Sequence, residues 1–128
     1  MIEDDDALRS VLRWALQRVG HTILEAGNGR QGVEQVLRHE LDLIITDILM
    51  PDQEGIETIQ QIRRLQPAIP LIAMSGIASE GEFSVLKDAL LMGATTTLEK
   101  PFDLTQLIAA VDRLLQEGHS EERRLDGT

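Results

Sequence analysis

The sequence contains no cysteine, which excludes disulfide bridges and thiolate-bound zinc together. It also lacks any apolar stretch approaching the ~20 residues that a membrane-spanning helix needs. A secretory leader would place basic residues first and an apolar run after them. Here Met1 and Ile2 lead directly into Glu3, Asp4, Asp5 and Asp6, so the expectation is a cytoplasmic protein without membrane association. Positive charge is scarce: 12 Lys and Arg against 22 Asp and Glu leave a formal net charge of −10. That balance argues against direct nucleic-acid binding by this domain and favours cationic partners or metal ions. No linker-like or low-complexity segment interrupts the 128 residues. The length suits one domain that buries ~65–70% of its unfolded surface.

What is present is a regular alternation. Leu41 to Ile45 is an almost unbroken apolar run that stops at one carboxylate, Asp47, before a Met50-Pro51 turn and Gly55. Such a run fits a strand buried on both faces, the way strands of parallel sheets read. Leu8, Val11, Leu12, Ala15, Leu16 and Val19 form a helical stripe that Gly20 ends. His21 to Ala26 is a short strand candidate. Asn28-Gly29 marks a turn, and a weaker helix follows with Val33, Val36 and Leu37 inward. Ile56, Ile59 and Ile62 give a third helix, closed by Pro67. Ile69 to Met74 is a further apolar strand ending at Ser75-Gly76, and Glu80 to Met92 is helical in pattern up to Gly93. Thr95 to Leu98 reads as a Thr-rich edge strand. After Lys100-Pro101-Phe102, the stripe Leu104, Leu107, Ile108, Val111, Leu114 and Leu115 defines the last helix. The tail from Gly118 is polar and expected to fray. Strand–helix units in this order imply a parallel sheet with helices on both faces.

In such a sheet the carboxyl ends of all strands lie on one rim, where open α/β folds place their ligand crevice. Glu3 and Asp4 follow strand one, Asp47 closes strand three, Ser75 closes strand four and Lys100 follows strand five. Two carboxylates ~4–5 Å apart repel by roughly 3–4 kcal/mol at an effective dielectric near 20. One lysine cannot neutralise Glu3, Asp4 and Asp47 together, so the cluster calls for a divalent cation, and an all-oxygen donor set suits Mg²⁺. Asp5 and Asp6 are read instead as first-turn acids that favour a helix N-terminus. His21, His39 and His119 show no ligand spacing. Trp14, beside the first helix's stripe, is expected to pack partly buried.

Glu3-Asp4, Asp47 with Met50-Pro51 and Gly55, Ser75-Gly76, and Lys100-Pro101-Phe102 together resemble the response-regulator receiver domain of two-component signalling. The resemblance runs from Glu3 to about Glu117. It implies a flavodoxin-like (βα)5 fold of strand order 2-1-3-4-5, with a receiver domain over 1–118 and a polar tail or linker start over 119–128. By that resemblance, Asp47 is the aspartate phosphorylated by a histidine kinase or a histidine phosphotransfer protein. Asp4 binds Mg²⁺ directly and Glu3 acts beside it, a register anchored by Arg9 five residues after Asp4. Leu49 offers its backbone carbonyl to the metal. Ser75 and Lys100 bind the phosphoryl oxygens, and the Lys100–Pro101 bond is cis. Phosphorylation then shifts the surface of the fourth helix, fifth strand and fifth helix toward a downstream output domain or protein, or toward a homodimer.

Two departures stand out. Thr97 occupies a place where many receivers carry Tyr or Phe, so an aromatic switch coupled to Ser75 is not expected in its usual form. The first strand is reduced to Met1 and Ile2, where a strand typically has ~5–6 residues, and is expected to be truncated. A Mg²⁺-dependent phosphohydrolase of the haloacid dehalogenase type is an alternative, but it would carry a second aspartate where Leu49 stands. A non-phosphorylated interaction module is a further alternative, set against the intact group of Asp47, Asp4, Ser75 and Lys100.

Overall fold

The computed structural model of the chain describes residues 1–48, 54–76 and 89–126. In chain order these form α1 (Asp6–Arg18), α2 (Gly29–Arg38), β1 (Ile44–Asp47), α3 (Glu54–Leu65), β2 (Leu71–Ser75), β3 (Thr96–Glu99) and α4 (Leu104–Asp126). Residues 89–92 are also helical and lead into Gly93. The predicted turn at Met50-Pro51 and most of the predicted helix from Glu80 lie outside the described residues.

β1, β2 and β3 form a parallel sheet in that order, with Asp47 level with Met74 and Ser75 level with Glu99. Because side chains alternate across a strand, neighbouring strand residues enter different cores. Ile44, Leu71 and Ala73 face α2 and α3, together with Ile59 and Ile62. Ile45, Ile72 and Met74 face α1 and α4, together with Leu12, Leu16, Leu107, Val111 and Leu114. The apolar runs are thus apolar because both faces of each strand are covered, and the result is a doubly wound α/β sandwich.

Strand one is a single residue. Ile2 bridges Ala26 on one side and Thr46 on the other, both in parallel sense. That places it between the second-strand segment and β1, so the observed order is the predicted 2-1-3-4-5 with a truncated centre. The strand expected over His21 to Ala26 does not form beyond the Ala26 bridge. The reason is local: a strand is held by its neighbour's ladder, and Met1 and Ile2 offer rungs only at its end.

Helix boundaries follow from capping. Asp5 is the N-cap of α1, its carboxylate accepting from Leu8 N at 3.1 Å, and Asp6 lies in the first turn. Gly20, at φ 100°, closes α1 with His21 N donating to Leu16 O and Gly20 N to Gln17 O. Gly93, at φ 124°, does the same for the helix before it, a left-handed close that only glycine adopts freely. α4, by contrast, runs to Asp126, so Gly118 is helical and the expected frayed tail is not seen. A helical glycine costs only ~1 kcal/mol relative to alanine, which need not end a helix.

The buried stripes are narrower than the periodicity predicts. In α1, Leu12, Ala15 and Leu16 are buried, but Val11, Trp14 and the C-cap Val19 are about half exposed, and the Arg18 guanidinium lies 4.7 Å from the Trp14 ring centre. In α2 Val36 is buried and Val33 packs partly buried against the same core, as expected, but Gly29 and Gly32 complete the inward face and Leu37 turns outward. Arg63, with no marked role in the sequence, ties the end of α3 to the start of β3. Its Nε donates to Gly93 O at 2.6 Å and its Nη2 to Thr95 Oγ1 at 3.2 Å.

Candidate functional site

The rim is assembled from chain ends that the sheet brings together. Ile2 O accepts from Asp47 N at 2.9 Å and Glu3 N donates to Ala26 O at 3.0 Å, which sets Glu3 beside the end of β1. Lys100 N donates to Ser75 O at 2.6 Å, which sets the lysine past the end of β2. The Lys100–Pro101 peptide is cis. From there Lys100 Nζ reaches Glu3 Oε1 at 2.6 Å and Asp47 Oδ2 at 3.3 Å. The side chain thus spans two carboxylates contributed from positions 97 and 53 residues away.

Burial sorts the acids. Glu3 and Asp47 are buried, at 0% and 4% exposure, whereas Asp4 is exposed. Each of the three offers one carboxylate oxygen, and these oxygens lie within 4.8 Å of one another. Among the described residues, Glu3 Oε2 and Ser75 Oγ are buried polar atoms without a hydrogen-bond partner. Buried groups of this kind normally have one, so both atoms have hydrogen-bonding or ligating capacity to offer at the rim. Three clustered carboxylates and an unpartnered buried oxygen fit a hard divalent cation.

Electrostatics points the same way. Burial, then the Asp47 carboxylate beside it, pushes the Glu3 pKa up to about 7 against the opposing pull of Lys100. Burial alone would lower the Lys100 pKa, but the bond to Glu3 and the charge of Asp47 outweigh it and raise the value. One lysine therefore does not satisfy the pair.

The Glu3 shift carries a pH prediction for the metal-free protein. Between 4.5 and about 7 the folded chain holds a proton on Glu3 that the unfolded chain has released, so stability falls as pH rises through that window. The Met1 amine, lowered by burial from 8.0 to about 6, acts oppositely: stability rises with pH between those values. The expected melting-temperature profile in chelator falls from pH 4.5, flattens between 6 and 7, and recovers toward 8. Each limb is at most on the order of 1 kcal/mol per pH unit. Glu3→Gln should remove the falling limb. A profile that rises from pH 5 to 6 in the parent protein would contradict this assignment.

Thr97, the expected switch position, sits in β3 level with Ala73 and is half buried. Leu49 lies outside the described residues. Two supporting residues carried no functional signal in the sequence. Arg9, which there only anchors the register, donates from Nη1 to Glu3 O at 2.7 Å and pairs with Asp6 at 2.6 Å. Glu25 pairs with Arg13 at 2.8 Å and with Arg9 at 3.4 Å. Together they hold the backbone of the acidic pair. An acid within the apolar stretch His21 to Ala26 was the available clue to Glu25.

A parallel doubly wound sheet with an acid cluster and a lysine on its carboxyl rim is an α/β domain with its ligand crevice at the strands' carboxyl ends. The chain belongs to the response regulator receiver domain family, whose model matches residues 1–112. It is 38% identical over 88% of its length to the DNA-binding transcriptional regulator NtrC of Azospirillum brasilense. It is 33% identical over 94% of its length to the transcriptional regulatory protein ZraR of Escherichia coli K12. The chain spans about a quarter of these relatives, 23% and 26% of their lengths. Among solved structures, a CheY-like receiver domain protein from Methanospirillum hungatei superposes with a TM-score of 0.84 at 28% identity, covering 94% of each chain.

Proposed function

We propose that this domain is a phosphoacceptor switch that takes a phosphoryl group on Asp47 from a histidine kinase or a histidine phosphotransfer protein. The observation that carries the reading is the bridging position of Lys100 Nζ, within 3.3 Å of both Glu3 and Asp47. An Asp47 carboxylate oxygen forms the new O–P bond as the P–N bond to the donor imidazole breaks. Lys100 stays with the negative charge as it spreads over the transferred oxygens. The Ser75 hydroxyl, at present without a partner, donates to one of those oxygens. Mg²⁺, held by Glu3, Asp4, Asp47 and the Leu49 carbonyl, would supply the remaining positive charge at the rim.

The gain of a Ser75 bond and the reassignment of Lys100 bias the neighbouring strand ends. Ser75 is level with Glu99 in β3, so the effect reaches β3, α4 and residues 89–92. That last segment exposes Leu90, Leu91 and Met92 at 48%, 72% and 40%, an apolar face suited to an output domain, an output protein or a second copy. With Thr97 in place of an aromatic, the shift acts through backbone and Ser75, without a swinging ring.

Incubation with Mg²⁺ and acetyl phosphate tests the reading by intact mass. A stable single adduct supports the switch. Rapid release of phosphate without an adduct would favour a phosphohydrolase, and no reaction a passive interaction module. In the family, the positions two residues beyond Asp47 and Ser75 flank the phosphoryl group; this chain has Leu49 and Ile77 there, neither able to hydrogen-bond an attacking water, so self-dephosphorylation is expected to be slow. Leu49→Asn should shorten the adduct's lifetime. A parent adduct that decays faster than the variant's would refute this.

A further inference from the structure

Asp4 is the exposed member of the acid cluster, and no hydrogen bond or ion pair with another described residue holds its carboxylate. Yet one of its oxygens lies within 4.8 Å of oxygens of Glu3 and Asp47. A free, exposed side chain can change rotamer, so the backbone that carries Asp4 decides where its carboxylate can reach. That backbone is the Glu3–Asp4 peptide, and it is held from both sides of Glu3. Glu3 N donates to Ala26 O at 3.0 Å, and Glu3 O accepts from Arg9 Nη1 at 2.7 Å. Among the described residues Arg9 is the one donor to that carbonyl.

Arg9 is not spare positive charge for the acids. Its Nη2 pairs with Asp6 at 2.6 Å, and its Nε lies 3.4 Å from Glu25 Oε1, which is an ion-pair distance without hydrogen-bond geometry. Glu25 in turn pairs with Arg13 at 2.8 Å. Asp6, Arg9, Glu25 and Arg13 thus form a chain of alternating charges that cancel. What the guanidinium adds at Glu3 is direction. Its three nitrogens serve three partners from one rigid plane, and its side chain is only 19% exposed. A lysine ammonium keeps the charge but has no such fork.

We propose that Arg9 is a positioning residue for the cation site at the rim. By fixing the Glu3 carbonyl it aims the Asp4 carboxylate into the space shared with Glu3 and Asp47, and Glu25 keeps the guanidinium in place. Lys100 contributes charge to the cluster, whereas Arg9 contributes geometry to it. The inference rests on the reading of that cluster as a Mg²⁺ site.

Calorimetric titration of the full chain with Mg²⁺, without any phosphodonor, is the first measurement. Arg9→Lys should weaken binding ten- to about a hundred-fold, the usual effect of losing a group that orients a metal ligand. Glu25→Gln removes the charge facing Nε and should weaken it about three-fold or more. With acetyl phosphate, half-saturating Mg²⁺ should rise by the same factors, while the rate at saturating Mg²⁺ stays within about two-fold of the parent's. In chelator, the order parameter of the Asp4 amide should fall in Arg9→Lys from the rigid range near ~0.85 toward ~0.6. Two controls should keep the parent's Mg²⁺ affinity: Arg13→Lys, which reaches Glu25 but not Glu3, and Gly20→Ala, which strains the end of α1 away from the rim. Parental affinity in Arg9→Lys, or an equal loss in Gly20→Ala, would overturn the proposal. If Arg9→Lys does not fold, parental affinity in Glu25→Gln overturns it. A parent chain that binds no Mg²⁺ would refute the cation reading and this inference with it, whereas the other outcomes bear on Arg9 alone.

Discussion

Lys100→Met is expected to destabilise the metal-free protein by on the order of 3 kcal/mol at pH 8, roughly a 10 °C loss in melting temperature. Methionine keeps most of the side-chain length and removes only the charge. Glu3, fully buried, then loses its 2.6 Å partner, and Asp47, 4% exposed, loses its 3.3 Å partner. Two adjacent carboxylates deprived of the lysine's charge are relieved by taking up a proton, and Glu3 with a pKa of about 7 is the group that does so. The loss should therefore be smaller at pH 6 than at pH 8. Mg²⁺ should restore part of it at either pH. Phosphorylation should fall about 100-fold, the usual effect of losing one group that stabilises developing charge. Thermal denaturation at both pH values, with and without Mg²⁺, checks the first part. Unchanged melting at pH 8 would mean that Lys100 does not stabilise the pair.

Gly55→Ala should cost at least about 2 kcal/mol and also slow phosphorylation ten- to a hundred-fold. A Cβ at Gly55 would meet the Cα, carbonyl carbon and oxygen of Ile48, all backbone atoms. A side chain could swing aside, whereas backbone must move bodily. Ile48 N is held to Met74 O at 2.9 Å and its neighbour Asp47 to Ile2 O at 2.9 Å, so relief of the clash displaces either the start of α3 or the end of β1. The control is Gly20→Ala. Gly20 has φ +100°, and a Cβ added there would meet nothing within 4 Å, so alanine costs backbone strain of about 1–2 kcal/mol without disturbing the rim. Equal phosphorylation rates in the two variants would show that the close approach of α3 to β1 does not position Asp47.

The sequence was most informative where burial is two-sided. Leu43 to Ile45, and Leu71 to Met74, are apolar at consecutive positions because alternate residues enter different cores. That is why the parallel sheet, the doubly wound layers and the carboxyl rim could all be read from residue order. Asp47 was conspicuous because it ends such a run. What could not be read was tertiary. His21 to Ala26 has strand composition but not a strand's neighbour, so its partner's length decided its state. Trp14, Val11 and Leu37 lie at the margins of their stripes, where a shift of one position exchanges core for solvent. At the site, Glu3 and Asp4 look equivalent as letters, yet the turn into α1 buries the first and exposes the second. The Lys100–Glu3 pair joins residues 97 positions apart, and no local pattern encodes its 2.6 Å contact.

The central claim is that Asp47 is the phosphoacceptor and that the surrounding acids act through a bound divalent cation. The direct measurement is to treat the protein with Mg²⁺ and phosphoramidate, reduce any acyl phosphate to the alcohol with borohydride, and map the modified residue by peptide mass spectrometry. A single modification at position 47 is predicted, absent in chelator and absent in Asp47→Asn. Modification at another carboxylate in equal yield, or an undiminished yield at position 47 without metal, would contradict the account.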